Sequence, residues 1–294
     1  MDYKPNKLKQ YIEKSRHIVI NHRLHIRLSE ELFKKYKAGA YDTSLKQYVE
    51  YIEQIDNLSI KYPANASPIY HIYIVPDNNF IELLSYPSHL KTKGGGRPVA
   101  TFDLDGFNSA FGISNNFIEN REDSSIMQKI NSIHELAHLV HEMFFNKDRL
   151  LAEGFAEALP LYTMNYQSKF EEHTEMLRNL KPEQILSAQE LIVSAKNNNF
   201  NEGTIIPNKS VSFHKTYISS YLFVRGCLET IEKKYNVNRV GATQKLLEMG
   251  RESLCWNQFL IFDIANNIGI PQDDLLYSKD MQKNVIKNIL KETK

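Results

Sequence analysis

The sequence is poor in cysteine and has no long apolar segment, and both absences restrict the class of protein. Its 294 residues include only two cysteines, Cys227 and Cys255, which do not make a disulfide framework. We therefore expect both thiols to be reduced and buried. No apolar run approaches the roughly eighteen residues of a membrane-spanning helix. The N-terminal residues 1–7 lack the apolar region of a signal peptide, which predicts a cytoplasmic protein without a membrane span; export by another route is the open alternative.

An excess of charge of either sign is also missing. The formal net charge is +1, from 36 basic and 35 acidic residues, so no strong field favours nucleic acid or an anionic membrane. A triple glycine at 94–96 lies in a basic loop, but no Lys-Ser or Lys-Thr pair follows it. This excludes a phosphate-binding loop. With 42% hydrophobic residues, the chain can bury a substantial core in one large domain or in two lobes.

The hydrophobic pattern predicts an α+β protein whose strands lie in its first half. Alternation or β-branched content predicts four strands, at 17–28, 69–75, 98–104 and 110–114. Two helices are expected after the first strand, one capped by Ser29 and one with an apolar stripe over 45–55. From Asp123 onward the pattern is almost wholly helical. These elements predict an N-terminal α/β lobe over 1–122 and a helical lobe over 123–294.

Two histidines within the first predicted strand are candidates for metal binding. His22 and His25 are three residues apart, so they fall on opposite faces of a strand. Exposed or edge positions are therefore expected for both, and no metal site.

The main chemical signal is the run His134-Glu135-Leu136-Ala137-His138, inside a segment, 124–145, that predicts one long helix. Two histidines four residues apart project from the same helical face and can bind one tetrahedral zinc ion. Such a site leaves room for a carboxylate ligand and a water molecule. Glu135 follows the first histidine and occupies the place of a general base.

A second predicted helix starts at Leu150 and carries Glu153-Gly154-Phe155-Ala156-Glu157. The two segments together resemble the gluzincin metallopeptidases, in which a glutamate from an E-G-x-A-E segment completes the zinc site of HExxH. The resemblance implies zinc ligands at His134, His138 and Glu153 and a general base at Glu135. It implies a zincin-like, thermolysin-like catalytic fold, with an N-terminal mixed sheet and helices and a mostly helical C-terminal lobe. Gly154 is expected to let the two helices approach closely.

Two other side chains compete for the place of the third ligand. His141 lies near the same helical face but about 4.5 Å further along the axis, at 1.5 Å per residue, so it addresses a different point. Glu157 lies one turn beyond Glu153 and could also reach the metal. An acceptor that orients a ligand imidazole is its expected role.

Looser similarity extends over residues 111–236. The aminopeptidase N-like branch carries G-x-M-E-N on the sheet edge that lines the substrate groove, about twenty residues before HExxH. The nearest match here is Gly112-Ile113-Ser114-Asn115-Asn116, which lacks the glutamate that holds a free amine. The resemblance therefore favours an endopeptidase whose extended substrate pairs with this edge strand. An aminopeptidase that uses Glu119 or Glu122 instead is the alternative.

The segment 212–225 resembles the Y-x-x-S-Y-x-x-V-R pattern of the peptidase MA-like group. That similarity implies that Tyr217 donates to the oxyanion of the transition state, with His214 as the second candidate. Tyr221 stays open, and both tyrosines also suit simple helix packing. The expected activity is zinc-dependent hydrolysis of a peptide or protein substrate. A non-catalytic zinc-binding protein that retains the fold is the alternative outside enzymes.

Overall fold

The structure is a computed structural model, and it describes residues 11, 13–63, 68–76, 99–103, 109–114, 118–119, 126–144, 149–196, 215–252 and 258–292. The chain is α+β and mostly helical, with a mixed sheet in its first half, as predicted. It divides into two compact units, residues 1–139 and 140–294, and the division falls inside a helix.

The first unit contains a five-stranded mixed sheet. Its strands are β1 (Arg16–Val19), β2 (Leu24–Leu28), β3 (Tyr70–Val75), β4 (Val99–Asp103) and β5 (Ser109–Ser114). They lie in the order β1-β2-β3-β5-β4. The three inner strands β2, β3 and β5 are parallel, and the outer strands β1 and β4 pair antiparallel with their neighbours.

The structure contradicts the prediction of a single strand over 17–28, because the chain reverses there into a hairpin. The side-chain oxygen of Asn21 accepts hydrogen bonds from the backbone N–H groups of Arg23, at 2.8 Å, and Leu24, at 2.7 Å. Asparagine commonly forms turns of this kind with its own following backbone. As a result, β1 and β2 are neighbouring strands rather than two ends of one strand.

The core of the first unit lies between one face of the sheet and its helices. Leu24, Ile26 and Leu28 on β2 have no exposed surface. Three described helices belong to this part of the chain: α1 (Glu30–Lys37), α2 (Asp42–Asp56) and α3 (Ile126–Glu142), which continues into the second unit. The predicted cap of α1 is confirmed, since the Ser29 hydroxyl accepts a hydrogen bond from the Leu32 N–H at 3.3 Å.

The described part of the second unit is helical. Its α-helices after α3 are α4 (Arg149–Ala158), α5 (Glu171–Arg178), α6 (Ala188–Lys196), α7 (Lys215–Tyr235), α8 (Arg239–Glu252), α9 (Gln258–Ile268), α10 (Gln272–Tyr277) and α11 (Asp280–Glu292). Residues 221–228 of α7 are buried on every side of the helix, so α7 is the central helix of this unit.

Two helices of the second unit have well-defined boundaries. Pro160 follows the end of α4 and lies in a π-helical turn, Leu159–Thr163, because proline disfavours continuation of an α-helix. A short 3-10 turn, Pro182–Gln184, precedes α6, whose start is fixed by Ser187 and Glu190. The Ser187 hydroxyl accepts from the Glu190 N–H, and the Glu190 carboxylate accepts from the Ser187 N–H.

The structure bears on the two cysteines and on the capacity of the helices to span a membrane. Cys227 is reduced and fully buried, and burial raises the pKa of its thiol to about 12. Cys255 lies outside the described residues. None of the helices in the described part of the chain has both the length and the apolar content required to cross a bilayer.

Candidate metal centre

Helix α3 presents His134 and His138 on one face. Its other face is packed, with Ile133, Leu136 and Ala137 fully buried, and this packing fixes the rotation of the helix. The two imidazole rings are consequently half-buried and lie one turn apart. Their centroids are 4.9 Å apart and the ring planes are inclined by 85°.

Helix α4 carries a carboxylate that belongs to the same group of potential ligands. Glu153, His134 and His138 each offer one ligand atom, and these atoms lie within 4.8 Å of one another. Leu151 and Phe155, both almost fully buried, anchor α4, while Glu153 between them is only half-buried. These three residues, which the sequence analysis proposed as ligands, are one of the groups in the described part of the chain that could hold a metal ion.

This donor set fits zinc. Two imidazole nitrogens and one carboxylate oxygen are the ligands of many catalytic zinc sites, which keep a fourth position for water or substrate. Tetrahedral coordination with bonds of 2.0 to 2.1 Å separates ligand atoms by about 3.3 Å. The ligand atoms of His134, His138 and Glu153 are separated by at most 4.8 Å. Glu135, next to His134 on α3, is half-buried.

The competing histidine has another environment. His141 is buried, with only 1% of its surface exposed, and its ring packs on that of Phe155 with centroids 5.6 Å apart. It does not belong to the group of potential ligands around Glu153. Within the second unit, His141 is a packing residue between the end of α3 and α4.

Glu157, the competing carboxylate, acts on a different set of side chains. Its negative charge opposes the burial that lowers the pKa of His173 to about 4, and it also raises the pKa of Tyr221. The His173 and Tyr221 rings lie 5.4 Å apart, and both bond to the amide oxygen of Gln167. The group of potential ligands contains Glu153 and not Glu157.

The three proposed oxyanion donors have different surroundings. Tyr217 is half-buried on α7. Tyr221, one turn later, has no exposed surface; its hydroxyl donates to Gln167 at 3.0 Å and accepts from Arg225 at 3.2 Å. His214 lies outside the described residues. The Tyr221 hydroxyl is thus engaged in the core of the helical unit.

The predicted edge strand has a different position in the sheet. Residues 109–114 do form a strand, β5, but β5 pairs with β3 on one side and β4 on the other. Because its backbone hydrogen bonds are used on both sides, β5 cannot bind an extended substrate by strand addition. The outer strand on this side is β4. Of the possible amine anchors, Glu119 pairs with Lys35 at 2.6 Å, while Asn115 and Glu122 lie outside the described residues.

Sequence reasoning missed a second histidine group. His17, His25 and His71 come from β1, β2 and β3, and their ligand atoms also lie within 4.8 Å of one another. Burial, the neighbouring His25 and Arg27 lower the pKa of His71 to about 4. No short spacing connects these residues. The sequence signal that could have indicated this group is that two strands carry a histidine at equivalent alternating positions, His25 on β2 and His71 on β3.

Comparison of the chain with protein-family models, with curated proteins and with solved structures found no match.

Proposed function

We propose that this chain is a zinc-dependent metallopeptidase of the gluzincin type with a zincin-like catalytic fold. The observation that carries the proposal is the convergence of His134, His138 and Glu153, whose ligand atoms lie within 4.8 Å of one another. The resemblance of HExxH and E-G-x-A-E supports it independently of the geometry. The substrate class is a peptide or protein.

Each residue of the site has a distinct part in this chemistry. His134, His138 and Glu153 would hold zinc, which when bound acts as a Lewis acid and lowers the pKa of water towards neutrality. The Glu135 carboxylate accepts a proton from the attacking water and delivers it to the amine nitrogen of the departing peptide. A neutral donor to the developing oxyanion completes the site. Tyr217 and His214 remain the candidates for that donor, because the Tyr221 hydroxyl already has two partners.

We prefer an endopeptidase to an aminopeptidase. An aminopeptidase needs a carboxylate that holds the free amine of the substrate, and Glu119 already pairs with Lys35. Among the described strands β4 is the outer one on this side, and an extended peptide that adds to a sheet edge needs no free terminus. The non-catalytic alternative lacks a specific observation in its favour, since the general base Glu135 stands next to the ligand His134.

We expect the purified protein to hydrolyse a mixed peptide library, with cleavage read by mass spectrometry. Treatment with a zinc chelator should abolish cleavage, and added zinc should restore it. A parallel library with acetylated N-termini should be cleaved equally, because the preferred reaction needs no free amine. Cleavage that acetylation blocks would establish the aminopeptidase. Absence of any chelator-sensitive cleavage would favour the non-catalytic protein.

Replacement of the two α4 carboxylates should affect zinc affinity unequally. Glu153→Ala removes a ligand and should weaken zinc binding by at least about 100-fold. Glu157→Ala changes a side chain outside the group of potential ligands and should cost no more than about tenfold. Competition with a chromophoric chelator measures both affinities. The reverse order would assign the third ligand to Glu157.

A further inference from the structure

The hairpin at the edge of the sheet aligns three histidines. His25 on β2 lies directly opposite His71 on the parallel strand β3. On the antiparallel strand β1, Val19 lies opposite His25, and His17 is two residues away, opposite Arg27. Since alternate residues of a strand share a face, His17, His25 and His71 all lie on the same face of the sheet.

The three rings are close enough to share one ion. The Nε2 atom of His17 and the Nδ1 atom of His25 are 3.1 Å apart, near the 3.3 Å or so between ligand atoms of a tetrahedral zinc site. The ring centroid of His71 is 5.3 Å from that of His25 and 6.2 Å from that of His17. One nitrogen from each ring falls within 4.8 Å of the others.

The strands hold these histidines in place. The opposite face of β2 and β3 is core, where Leu24, Ile26 and Ile72 have no exposed surface. The backbone positions of the histidines are therefore fixed before any ligand binds, which favours affinity. On the outer face, His17 is exposed and gives access from solvent, while His25 and His71 are half-buried.

One nitrogen of the cluster has no partner within the described part of the chain. The Nδ1 atom of His71 is buried there and makes no hydrogen bond. Buried polar atoms are nearly always satisfied, and a bound ion is one explanation for an orphaned one. A metal ion bound to this nitrogen would supply the missing interaction.

We propose that His17, His25 and His71 form a second metal site, separate from the proposed catalytic centre, that binds a zinc-like transition-metal dication. Three imidazole nitrogens suit zinc, copper or nickel and do not suit magnesium or calcium, which prefer oxygen ligands. The fourth position faces solvent through the exposed His17. The charged side chain that acts on the cluster is Arg27, a cation, which limits the affinity of the site.

The experiment counts zinc equivalents on the full chain by equilibrium dialysis and elemental analysis. The wild type should bind two equivalents. His138→Ala, which removes a ligand of the proposed catalytic centre, should retain one, and His138→Ala combined with His25→Ala should retain none. The matched control is His138→Ala with His22→Asn, which deletes an exposed histidine of the same hairpin and should retain one equivalent. X-ray absorption at the zinc edge of His138→Ala should report nitrogen ligands.

The single variants separate failure of this site from failure of the proposed peptidase centre. His25→Ala alone should lose one equivalent whether or not His134 and His138 bind zinc, and it should keep the wild-type circular dichroism spectrum. His25→Phe is a second variant that preserves ring volume if alanine disturbs the strand. Arg27→Gln should raise the zinc affinity of the His17, His25 and His71 site by about fivefold, because the substitution removes a cation beside the ion. Equal zinc binding by His25→Ala and His22→Asn would overturn the proposal, as would a dissociation constant above about 1 mM.

Discussion

Glu135→Gln is expected to lower kcat by about 10²- to 10⁴-fold while zinc content stays unchanged. The substitution keeps the size and shape of the side chain but removes its capacity to accept a proton. General acid–base catalysis typically contributes about 10²- to 10⁴-fold to a rate, so a loss of this size is expected. Glu135 is not one of the proposed ligands His134, His138 and Glu153, so the metal-binding group is preserved. Steady-state hydrolysis of a library-derived peptide, with elemental analysis of the same preparation, measures both quantities.

A matched control for this substitution is Glu172→Gln, the same chemical change at an exposed position on α5. It should leave kcat and KM within about twofold of the wild type, as surface substitutions generally do. Activity retained in Glu135→Gln would remove Glu135 from the mechanism. Activity lost together with zinc would show that the side chain acts through metal binding instead.

Gly154→Ala is expected to destabilise the protein by about 3 kcal/mol, although alanine favours a helix over glycine by about 1 kcal/mol. A Cβ atom at this position would meet the backbone carbonyl of Ser220 well inside van der Waals contact and Cγ2 of Val224 at 2.6 Å. The carbonyl belongs to the central helix α7 and cannot rotate away, so α4 and α7 have to separate. Thermal unfolding should show a Tm lower by roughly 6 to 12 °C.

The control for helix propensity is Ala152→Gly, two residues earlier on α4 at a half-buried position. It should cost only about 1 kcal/mol. Because Gly154 follows Glu153, the displaced backbone in Gly154→Ala should also weaken zinc binding, while Ala152→Gly leaves zinc binding nearly unchanged. A higher Tm in Gly154→Ala would show that the α7 backbone shifts to accommodate the methyl group, so that the higher helix propensity of alanine outweighs the steric clash.

Sequence reasoning succeeded where the information is local. The helix that carries HExxH was expected over 124–145 and is described over Ile126–Glu142, because its apolar residues recur at helical spacing. The strand over Tyr70–Val75 and the Ser29 cap follow equally from neighbouring residues. The approach of Glu153 to His134 and His138 was anticipated only through the resemblance to gluzincins.

Sequence reasoning failed where segments that are distant in the chain determine the strand order and the helix contacts. Nothing in the residues 109–114 shows that β4 pairs outside β5, since strand order depends on the whole sheet. The expected partner of Gly154 was the zinc helix, yet the closest backbone is that of Ser220 on α7. The histidine group of the sheet escaped notice for the same reason: the turn at Asn21 places His17 beside His25.

The Arg225 guanidinium connects the interior of the helical unit to its last described helix. Arg225 has no exposed surface, and its partners are Glu229 one turn along α7, the Tyr221 hydroxyl and Glu292 at the end of α11. A buried cation that loses a partner carries a cost of several kcal/mol. Local unfolding at the Glu292 end of α11 therefore removes a partner from a buried cation, so the ion pair opposes it.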